Sequence, residues 1–254
     1  METGTFASEA VHEATHWWFV GRRRLFAREI KDVGLSPKAS ILDVGTSTGT
    51  NLRMLRDLGF SDVAGLDFST EAIAHCESKG FPGVKQGDIC SMPFPDGSFD
   101  LVLATDIIEH VDDDAQALRE IARVLTPGGR ALVTVPAFKI LWGLQDRVAQ
   151  HKRRYSKREL LDRIRAAGLS IETSYHFNYL LFAPILVARR LVDALGIKAR
   201  SEAEFNSPSI NWIFNKIFAA DVMSARRIKP FFGVSILAFA RKPPGQDQER
   251  STGL

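Results

Sequence analysis

The sequence has few cysteines and no long apolar run, and both absences exclude classes of protein. Only two of its 254 residues are cysteines, Cys76 and Cys90, and neither belongs to a CxxC pair or to a metal-ligand spacing. The longest apolar stretch, residues 179–188, is about half the length of a membrane span, which needs roughly 18 residues. We therefore expect no disulfide framework, no spanning helix and a reducing, cytoplasmic compartment.

An excess of charge of one sign is also lacking. Lysine and arginine total 33 against 30 acidic residues, which gives a net charge of only +3. This balance argues against a nucleic-acid partner. With 45% hydrophobic and 25% charged residues, the composition is that of a globular protein of one large domain or two small ones. The polar end of the chain, residues 243–254, is predicted to be disordered.

Between residues 39 and 137, short apolar runs alternate with amphipathic helical patterns. This alternation predicts βαβ crossovers and an α/β, doubly wound, Rossmann-like sheet that is mostly parallel. After residue 137 the rhythm changes, since residues 178–228 are mainly helical in pattern and a late strand follows without a crossover helix. That late strand is expected to return antiparallel. The predicted strands cover residues 39–45, 62–67, 84–89, 99–105, 130–135, 169–175 and 233–240.

The most informative segment is ILDVGTSTGTN, in which a predicted strand passes through Gly45 and Gly49 into a helix. Such a turn lets the backbone approach a small molecule at the carboxyl edge of a sheet. The next strand ends in Asp67, about 20 residues on, where acids bind ribose hydroxyls in nucleotide-binding units. The third strand ends beside another acid, Asp88. Together these features predict a nucleotide site.

The turn also narrows the choice of nucleotide. Ser47 stands where a dinucleotide fingerprint has its middle glycine, and no lysine follows Gly49 as a P-loop requires. Asp43, just before the turn, fits poorly beside pyrophosphate but suits a ligand with a cationic amino group. This combination points to S-adenosylmethionine (SAM), with no metal required.

These segments resemble the motifs of class I SAM-dependent methyltransferases, especially the small-molecule group called methyltransferase type 11. ILDVGTSTGTN is similar to the first motif of that family except at Ser47, GLDFS to its ribose motif, and LTPGGRALVTVPA to its fifth strand. The resemblance implies a seven-stranded sheet with an antiparallel last strand. It also implies methyl transfer from SAM to a small-molecule acceptor, which leaves S-adenosylhomocysteine.

The resemblance further implies contacts with each part of the cofactor. The implied contacts are Asp43, Gly45, Thr46 and Gly49 for the methionine moiety, Asp67 for the ribose, Phe68, Asp88 and Ile89 for the adenine, and Thr105 and Asp106 beside the sulfonium and the acceptor. On the presumed reacting face, Asp106 and His110 are the candidate catalytic residues. An acceptor hydroxyl, which we favour, needs a base, and His110 is suited to that role. Alternatively, His110 is a structural histidine bonded to the backbone.

Two charged segments have both a functional and a structural interpretation. Asp112, Asp113 and Asp114 open a predicted helix, so capping is favoured over metal binding. The aromatic and basic run WWFVGRRR predicts an N-terminal helical lid within residues 1–36, in which Trp18 packs over the cofactor and Arg22 binds its carboxylate. The alternative is a helix that is docked only for packing.

The second half of the chain offers candidates for acceptor binding. The cluster HKRRY follows the fifth strand, and we assign its residues His151, Arg153, Arg154 and Tyr155 to an anionic acceptor, with a solvated surface as the alternative. Residues 178–228 are predicted to form a helical cap inserted between the core (37–177) and its final strand (229–242). Such a cap would cover an apolar acceptor or touch a membrane surface, because its apolar runs are flanked by cations.

Two other functions stay open on the sequence alone. One is a regulatory subunit that binds SAM or a nucleotide without its own catalysis, and the presence of Asp106 and His110 argues against it. The other is an NAD-dependent oxidoreductase, which the turn GTSTGTN disfavours.

Overall fold

The computed structural model describes residues 11–195 and 207–244. The chain forms two compact units. The first draws on residues up to Gly34, on Val135–Lys157 and on Ser174–Leu237, and the second on Leu35–Thr134, on Arg158–Thr173 and on the residues from Ala238 onward. Residues 245–254 of the predicted tail, residues 196–206 of the predicted cap and the first ten residues of the predicted lid lie outside the described residues.

Helices and strands alternate through most of the described chain. The helices are α1 (Trp17–Val33), α2 (Thr50–Asp57), α3 (Thr70–Ser78), α4 (Asp114–Val124), α5 (Leu144–Val148), α6 (Lys157–Ala166), α7 (Phe182–Ala194) and α8 (Pro208–Ile228). The strands are β1 (Ser40–Val44), β2 (Asp62–Asp67), β3 (Lys85–Gln86), β4 (Phe99–Thr105), β5 (Leu125–Pro136), β6 (Ser170–Phe177) and β7 (Ser235–Arg241). A 3₁₀ turn covers Lys139–Leu141. None of the described helices is both long and apolar enough to cross a membrane.

The strands form one seven-stranded sheet in the order β3-β2-β1-β4-β5-β7-β6. Strand β1 pairs in parallel with β2 and β4, and β4 pairs in parallel with β5. The hydrogen bonds of β7 show that it runs against β5, since Ala137 N donates to Val234 O at one end and Gly128 N donates to Lys242 O at the other. The predicted mostly parallel sheet with an antiparallel last strand is confirmed.

Burial explains why the central strands read as continuous apolar runs. Leu101–Ala104 of β4 are fully buried, as are Ile41 and Leu42 of β1, because helices cover a parallel sheet on both faces. Two helices begin at polar caps that the sequence predicted. Ser69 Oγ accepts from Ala72 N at the start of α3, and Asp113 Oδ1 accepts from Gln116 N at 2.8 Å before α4.

Two strands differ from the sequence prediction. Strand β5 begins at Leu125 rather than at residue 130, because the TPGG segment passes through a register irregularity instead of ending the pairing. Gly129 permits this, since a Cβ there would lie 2.8 Å from Thr126 Oγ1. Strand β3 is only two residues long, and Asp88 instead forms a bridge with Ser91.

A buried carboxylate fastens the start of the helical segment that follows β6. Asp221 of α8 is fully buried, and its two oxygens accept from the backbone N–H groups of Asn178 (2.7 Å), Tyr179 (2.6 Å) and Leu180 (2.9 Å). Burial raises the pKa of Asp221, while these three hydrogen bonds lower it. The turn after β6 is therefore held by a side chain more than forty residues further along the chain.

Candidate active site

The glycine turn forms a tight loop between β1 and α2. Gly45, Ser47 and Gly49 all have positive φ angles, of 73°, 48° and 79°. Leu66 O accepts from Gly45 N at 2.8 Å, so the loop is bonded to β2. A Cβ on Gly45 would lie 2.8 Å from Ile107 Cδ1, and together with the positive φ angle this close approach favours glycine. At Ser47 the left-handed conformation costs roughly 1 kcal/mol, which a glycine would not incur.

Asp67 holds this loop in place. Its Oδ2 accepts from Ser47 N at 2.9 Å and its Oδ1 accepts from Ser69 N at 2.9 Å, and the residue is only 9% exposed. Burial raises the pKa of Asp67, and the backbone hydrogen bonds of Ser69 and Ser47 counter that shift. The residue implied to bind ribose therefore also fixes the strained position of the loop, a role that the sequence did not predict.

Asn51 connects three elements of the site. Its Nδ2 donates to Asp43 Oδ1 at 3.0 Å and to Thr105 Oγ1 at 3.1 Å, so that the first turn of α2 is tied to the ends of β1 and β4. Asp43 is fully buried, and Thr105 is 6% exposed. Asn51 was not among the predicted site residues. A polar side chain in the first turn after a glycine loop was the available signal for it.

The residues implied to contact adenine lie around β3. Phe68 is 77% exposed, unlike the phenylalanines of the core, and its carbonyl accepts from Gln86 Nε2 at 3.2 Å. Asp88 is exposed, and its Oδ1 accepts from Cys90 N at 2.8 Å in a local turn, while Ile89 is buried. An exposed aromatic ring and an exposed carboxylate at adjacent strand ends are the groups that a nucleobase needs for stacking and hydrogen bonding.

The candidate catalytic residues follow β4 in one tight segment. Asp106 has a φ angle of 53°, and its N–H donates to Thr134 O at 3.0 Å. His110 is half-buried, and its N–H donates to Ile107 O at 3.0 Å. A non-glycine residue at positive φ is uncommon, and such residues cluster at functional sites. Asp106 and His110 therefore lie in one short segment that follows the carboxyl end of β4.

The N-terminal residues Trp18 and Arg22 pack within their own unit. The Trp18 ring stacks on the rings of Phe177 (6.0 Å between centroids) and Phe218 (5.5 Å). The guanidinium of Arg22 lies 5.4 Å from the Trp18 ring and 5.3 Å from the ring of Phe26. These contacts fit the packing interpretation of α1. The cofactor contacts that the sequence predicted for Trp18 and Arg22 stay a proposal.

At the start of α1, a histidine acts as the helix cap. The Nδ1 atom of His16 accepts from Trp18 N at 3.3 Å. Burial, together with the nearby His12, lowers the pKa of His16 to about 4. The cap therefore depends on a neutral imidazole, because a protonated Nδ1 cannot accept a hydrogen bond.

Two residues of the HKRRY cluster, His151 and Arg154, contact a buried acid, Asp146. Asp146 Oδ1 lies 2.7 Å from Arg154 Nε and 2.9 Å from His151 Nδ1, and Asp146 is fully buried. Although burial raises the pKa of Asp146, the hydrogen bond of His151 and the charge of Arg154 lower it to about 2. Arg154 also donates to Ala137 O at 2.9 Å. Arg154 thus has a structural role within its unit.

The other members of the cluster differ in exposure. Tyr155 is 2% exposed and forms a bridge with Ala137, while Arg153 and His151 are half-buried. Of the two arginines predicted to bind an acceptor, Arg153 is therefore the more accessible. The assignment of all four residues to an acceptor stays a proposal.

Comparison with known proteins connects this geometry to a family. Residues 42–133 match the methyltransferase domain family. A probable S-adenosylmethionine-dependent methyltransferase of Mycolicibacterium smegmatis is 32% identical over 136 residues, which are 52% of this chain and 52% of that protein. A demethylmenaquinone methyltransferase of Renibacterium salmoninarum is 35% identical over 117 residues, which are 45% of this chain and 48% of that protein.

The fold extends the likeness beyond that domain. A Haloferax volcanii protein, solved in complex with a methyltransferase activator, superposes with a TM-score of 0.63 at 23% identity and covers 94% of each chain. At that identity the likeness concerns the fold alone. The chain spans about half the length of the curated relatives it matches. The matched residues 42–133, the strand order and the glycine loop are all similar to those of the class I SAM-dependent methyltransferase domain.

Proposed function

We propose that this protein transfers the methyl group of SAM to a small-molecule acceptor. The observation that carries the proposal is the pairing of Asp67 with the glycine loop. Asp67 lies at the carboxyl end of β2 and fixes the backbone of Ser47, which follows β1. This edge of a parallel sheet is where nucleotide ligands bind in doubly wound folds.

The residues present fit the cofactor. The loop from Gly45 to Gly49 lets backbone approach the methionine moiety, and the carboxylate of Asp67 can accept from ribose hydroxyls while it retains the loop. Phe68 offers an exposed ring beside the adenine, and Asp88 an exposed carboxylate for its amino group. When bound, SAM supplies a methyl group on a sulfonium, and the protein aligns the acceptor with it, which can supply several kcal/mol of the barrier.

For the acceptor we propose an apolar ring system with a hydroxyl group. The named relatives include demethylmenaquinone methyltransferases, and the matched region covers the presumed reacting face. His110 would act as the base for the hydroxyl, with Asp106 beside it and Arg153 binding an anionic group.

We also propose a peripheral contact with a membrane surface. Val187 and Leu191 of α7 are 57% and 54% exposed, and Arg190 beside them is exposed. Trp212 at the start of α8 is 64% exposed. Exposed apolar side chains flanked by cations suit the interface of an anionic bilayer.

The test combines binding with turnover. Calorimetry is expected to show binding of SAM and S-adenosylhomocysteine but not of NAD. Methyl-labelled SAM incubated with a panel of quinols and phenols is expected to give labelled product. The variant His110→Ala should reduce turnover about 100- to 10,000-fold with SAM affinity unchanged, as expected for a lost general base. His75→Ala, a half-buried histidine on α3, is the control.

The outcomes separate the proposal from its rivals. Binding of SAM without turnover on any acceptor in the panel would favour a regulatory subunit. Binding of NAD in place of SAM would favour an oxidoreductase and would end the proposal.

A further inference from the structure

Two polar side chains at the end of β6 are buried with atoms that make no hydrogen bond. His176 is 3% exposed and Asn178 is 1% exposed. Among the described residues, His176 Nε2 and both Oδ1 and Nδ2 of Asn178 have no hydrogen-bond partner. A buried polar group without a partner costs about 1–3 kcal/mol of stability. Three such atoms on two residues that are two positions apart in the sequence therefore indicate a bound ligand or ordered water.

The hydrogen bond on the other side of the ring fixes the form of His176. Its Nδ1 lies 3.1 Å from Pro230 O, and since a carbonyl can only accept, Nδ1 must carry the proton. Burial lowers the pKa of His176 below its usual value, and the nearby charge of Lys157 lowers it further, against the effect of the Pro230 bond. The imidazole is thus neutral, and Nε2 presents a lone pair that can accept a hydrogen bond.

The backbone around Asn178 explains its residue type but not its buried amide. Asn178 has a φ angle of 57°, a conformation that asparagine tolerates better than most residues. Its N–H donates to Asp221 and its carbonyl accepts from Val234 N at 3.3 Å, so the main chain is bonded on both sides. Neither bond involves the side-chain amide, which retains one acceptor and two donor positions.

Aromatic rings pack against His176 and against one another. The Phe138 ring stacks on the His176 ring with centroids 5.1 Å apart and planes at 11°, and Phe182 packs edge-on against Phe138 at 5.9 Å. Phe232 lies 5.4 Å from Phe182. Phe138 has a φ angle of 54°, which is strained for a bulky residue and typical of functional sites. Small-molecule sites combine apolar side chains with a few polar atoms that can bind the ligand, and both kinds of group are present here.

The place of these residues in the sheet fits an acceptor site. Val234, just before β7, bonds to Asn178 after β6 and to Ala137 after β5, so the carboxyl ends of β5 and β6 lie at the same edge of the sheet. In doubly wound folds the strand ends at that edge bind ligands.

We propose that His176 and Asn178 form a subsite for a hydroxyl group of an aromatic acceptor, distinct from the hydroxyl that His110 would deprotonate. The Nε2 atom of His176 accepts the hydroxyl hydrogen, the Asn178 amide bonds the hydroxyl oxygen or a neighbouring polar group, and the Phe138 and Phe182 rings pack against the aromatic ring. As an acceptor subsite the inference rests on the proposed function, but the binding itself is measured without turnover.

The test uses p-cresol as the probe and toluene as its matched analogue without the hydroxyl. In protein labelled with ¹⁵N-histidine, His176 Nε2 is expected to carry no proton, and p-cresol but not toluene should shift its resonance. His176→Asn keeps a donor for Pro230 and removes Nε2. Asn178→Gly keeps the left-handed backbone and removes the amide. Each variant is expected to weaken p-cresol binding about 2- to 10-fold, the usual worth of one hydrogen bond, and to leave toluene binding unchanged.

Stability and cofactor binding are measured on the same samples. The melting temperature separates a folding defect from a binding defect, and His75→Asn serves as the control substitution. The proposal is overturned if Nε2 carries the proton, if p-cresol fails to bind or to move the resonance, or if both folded variants bind it as tightly as the native protein. Failure of the native protein to bind SAM would instead overturn the proposed function. The failure of the subsite and the failure of the proposed function are therefore distinguishable.

Discussion

Replacing Asp67 by asparagine is expected to weaken both the fold and the binding of SAM, because one carboxylate serves both. In Asp67→Asn one oxygen becomes an NH₂ group, so either Ser47 N or Ser69 N loses its acceptor and faces a donor. A buried group left unsatisfied costs about 1–3 kcal/mol. At about 2–4 °C per kcal/mol for a chain of this size, the melting temperature should fall by about 2–12 °C.

The affinity for SAM should fall by more than the disturbed backbone of the glycine loop alone explains, because the ribose hydroxyls also lose a charged acceptor. Hydrogen bonds to a charged group are worth about 1.5–3 kcal/mol, which corresponds to about a 10- to 150-fold rise in the Kd for SAM. Calorimetry measures this Kd, and thermal denaturation measures the stability.

Asp62→Asn is the matched control for this prediction. Asp62 lies at the opposite end of β2, is exposed, and bonds the hydroxyl of Ser40. This control should change the SAM Kd by less than about twofold, because Asp62 lies at the other end of β2 from the glycine loop. It should also alter the stability by only about 0.5 kcal/mol, as is usual for a surface substitution. An Asp67→Asn protein that binds SAM as the native protein does would refute the assignment of Asp67 to the ribose.

Three further predictions follow from the geometry. Burial lowers the pKa of His16 from 6.5 to about 4, so the stability that the neutral ring contributes is present above pH 6.5 and is lost as the pH falls towards 4, by up to about 3 kcal/mol. Urea denaturation at pH 7 and pH 4.5 should give a smaller difference in stability for His16→Asn than for the native protein, and an equal difference would contradict the role of the neutral imidazole. Arg154→Ala should destabilise the protein by about 3–5 kcal/mol, because it leaves a buried carboxylate without its guanidinium. Replacement of the half-buried Arg153 by alanine should lower the melting temperature less and raise the acceptor KM, and equal melting temperatures of the two variants would contradict the structural role of Arg154. Ser47→Gly should raise the stability by about 0–1 kcal/mol and retain SAM binding, because glycine adopts the φ angle of 48° at this position without strain. A clear loss of stability would show that contacts of the Ser47 side chain outweigh the strain of its backbone.

The sequence predicted the elements whose signals are local. The strand before Gly45, the acid at the end of β2 and the cap at Asp113 follow from alternation and from short-range hydrogen bonding, and the structure has them at the expected places. The predicted strand boundary was wrong where glycine allowed an irregular pairing of two strands, as at Gly129 in β5.

What the sequence did not indicate depends on contacts between distant segments. Asn51 bonds Thr105, which is 54 residues away, and no periodicity encodes that pair. In the HKRRY cluster, the pattern could not tell that Arg154 is buried on Asp146 while Arg153 is accessible, since both are arginines in one run. The buried pair His176 and Asn178 had no sequence signal, because each residue alone is unremarkable.

The carboxylate of Asp221 affects how the sequence of this protein can change during evolution. It bonds the backbone at residues 178–180, so both ends of the intervening excursion, residues 181–220, are fastened at one point. The excursion can therefore change while the end of β6 keeps its conformation, provided that its buried side chains are retained, such as Phe218, which stacks on Trp18. A chimaera that exchanges exposed positions within residues 181–195 and 207–220 should fold if it keeps Phe218 and Asp221, and under the proposed function it would test new acceptors.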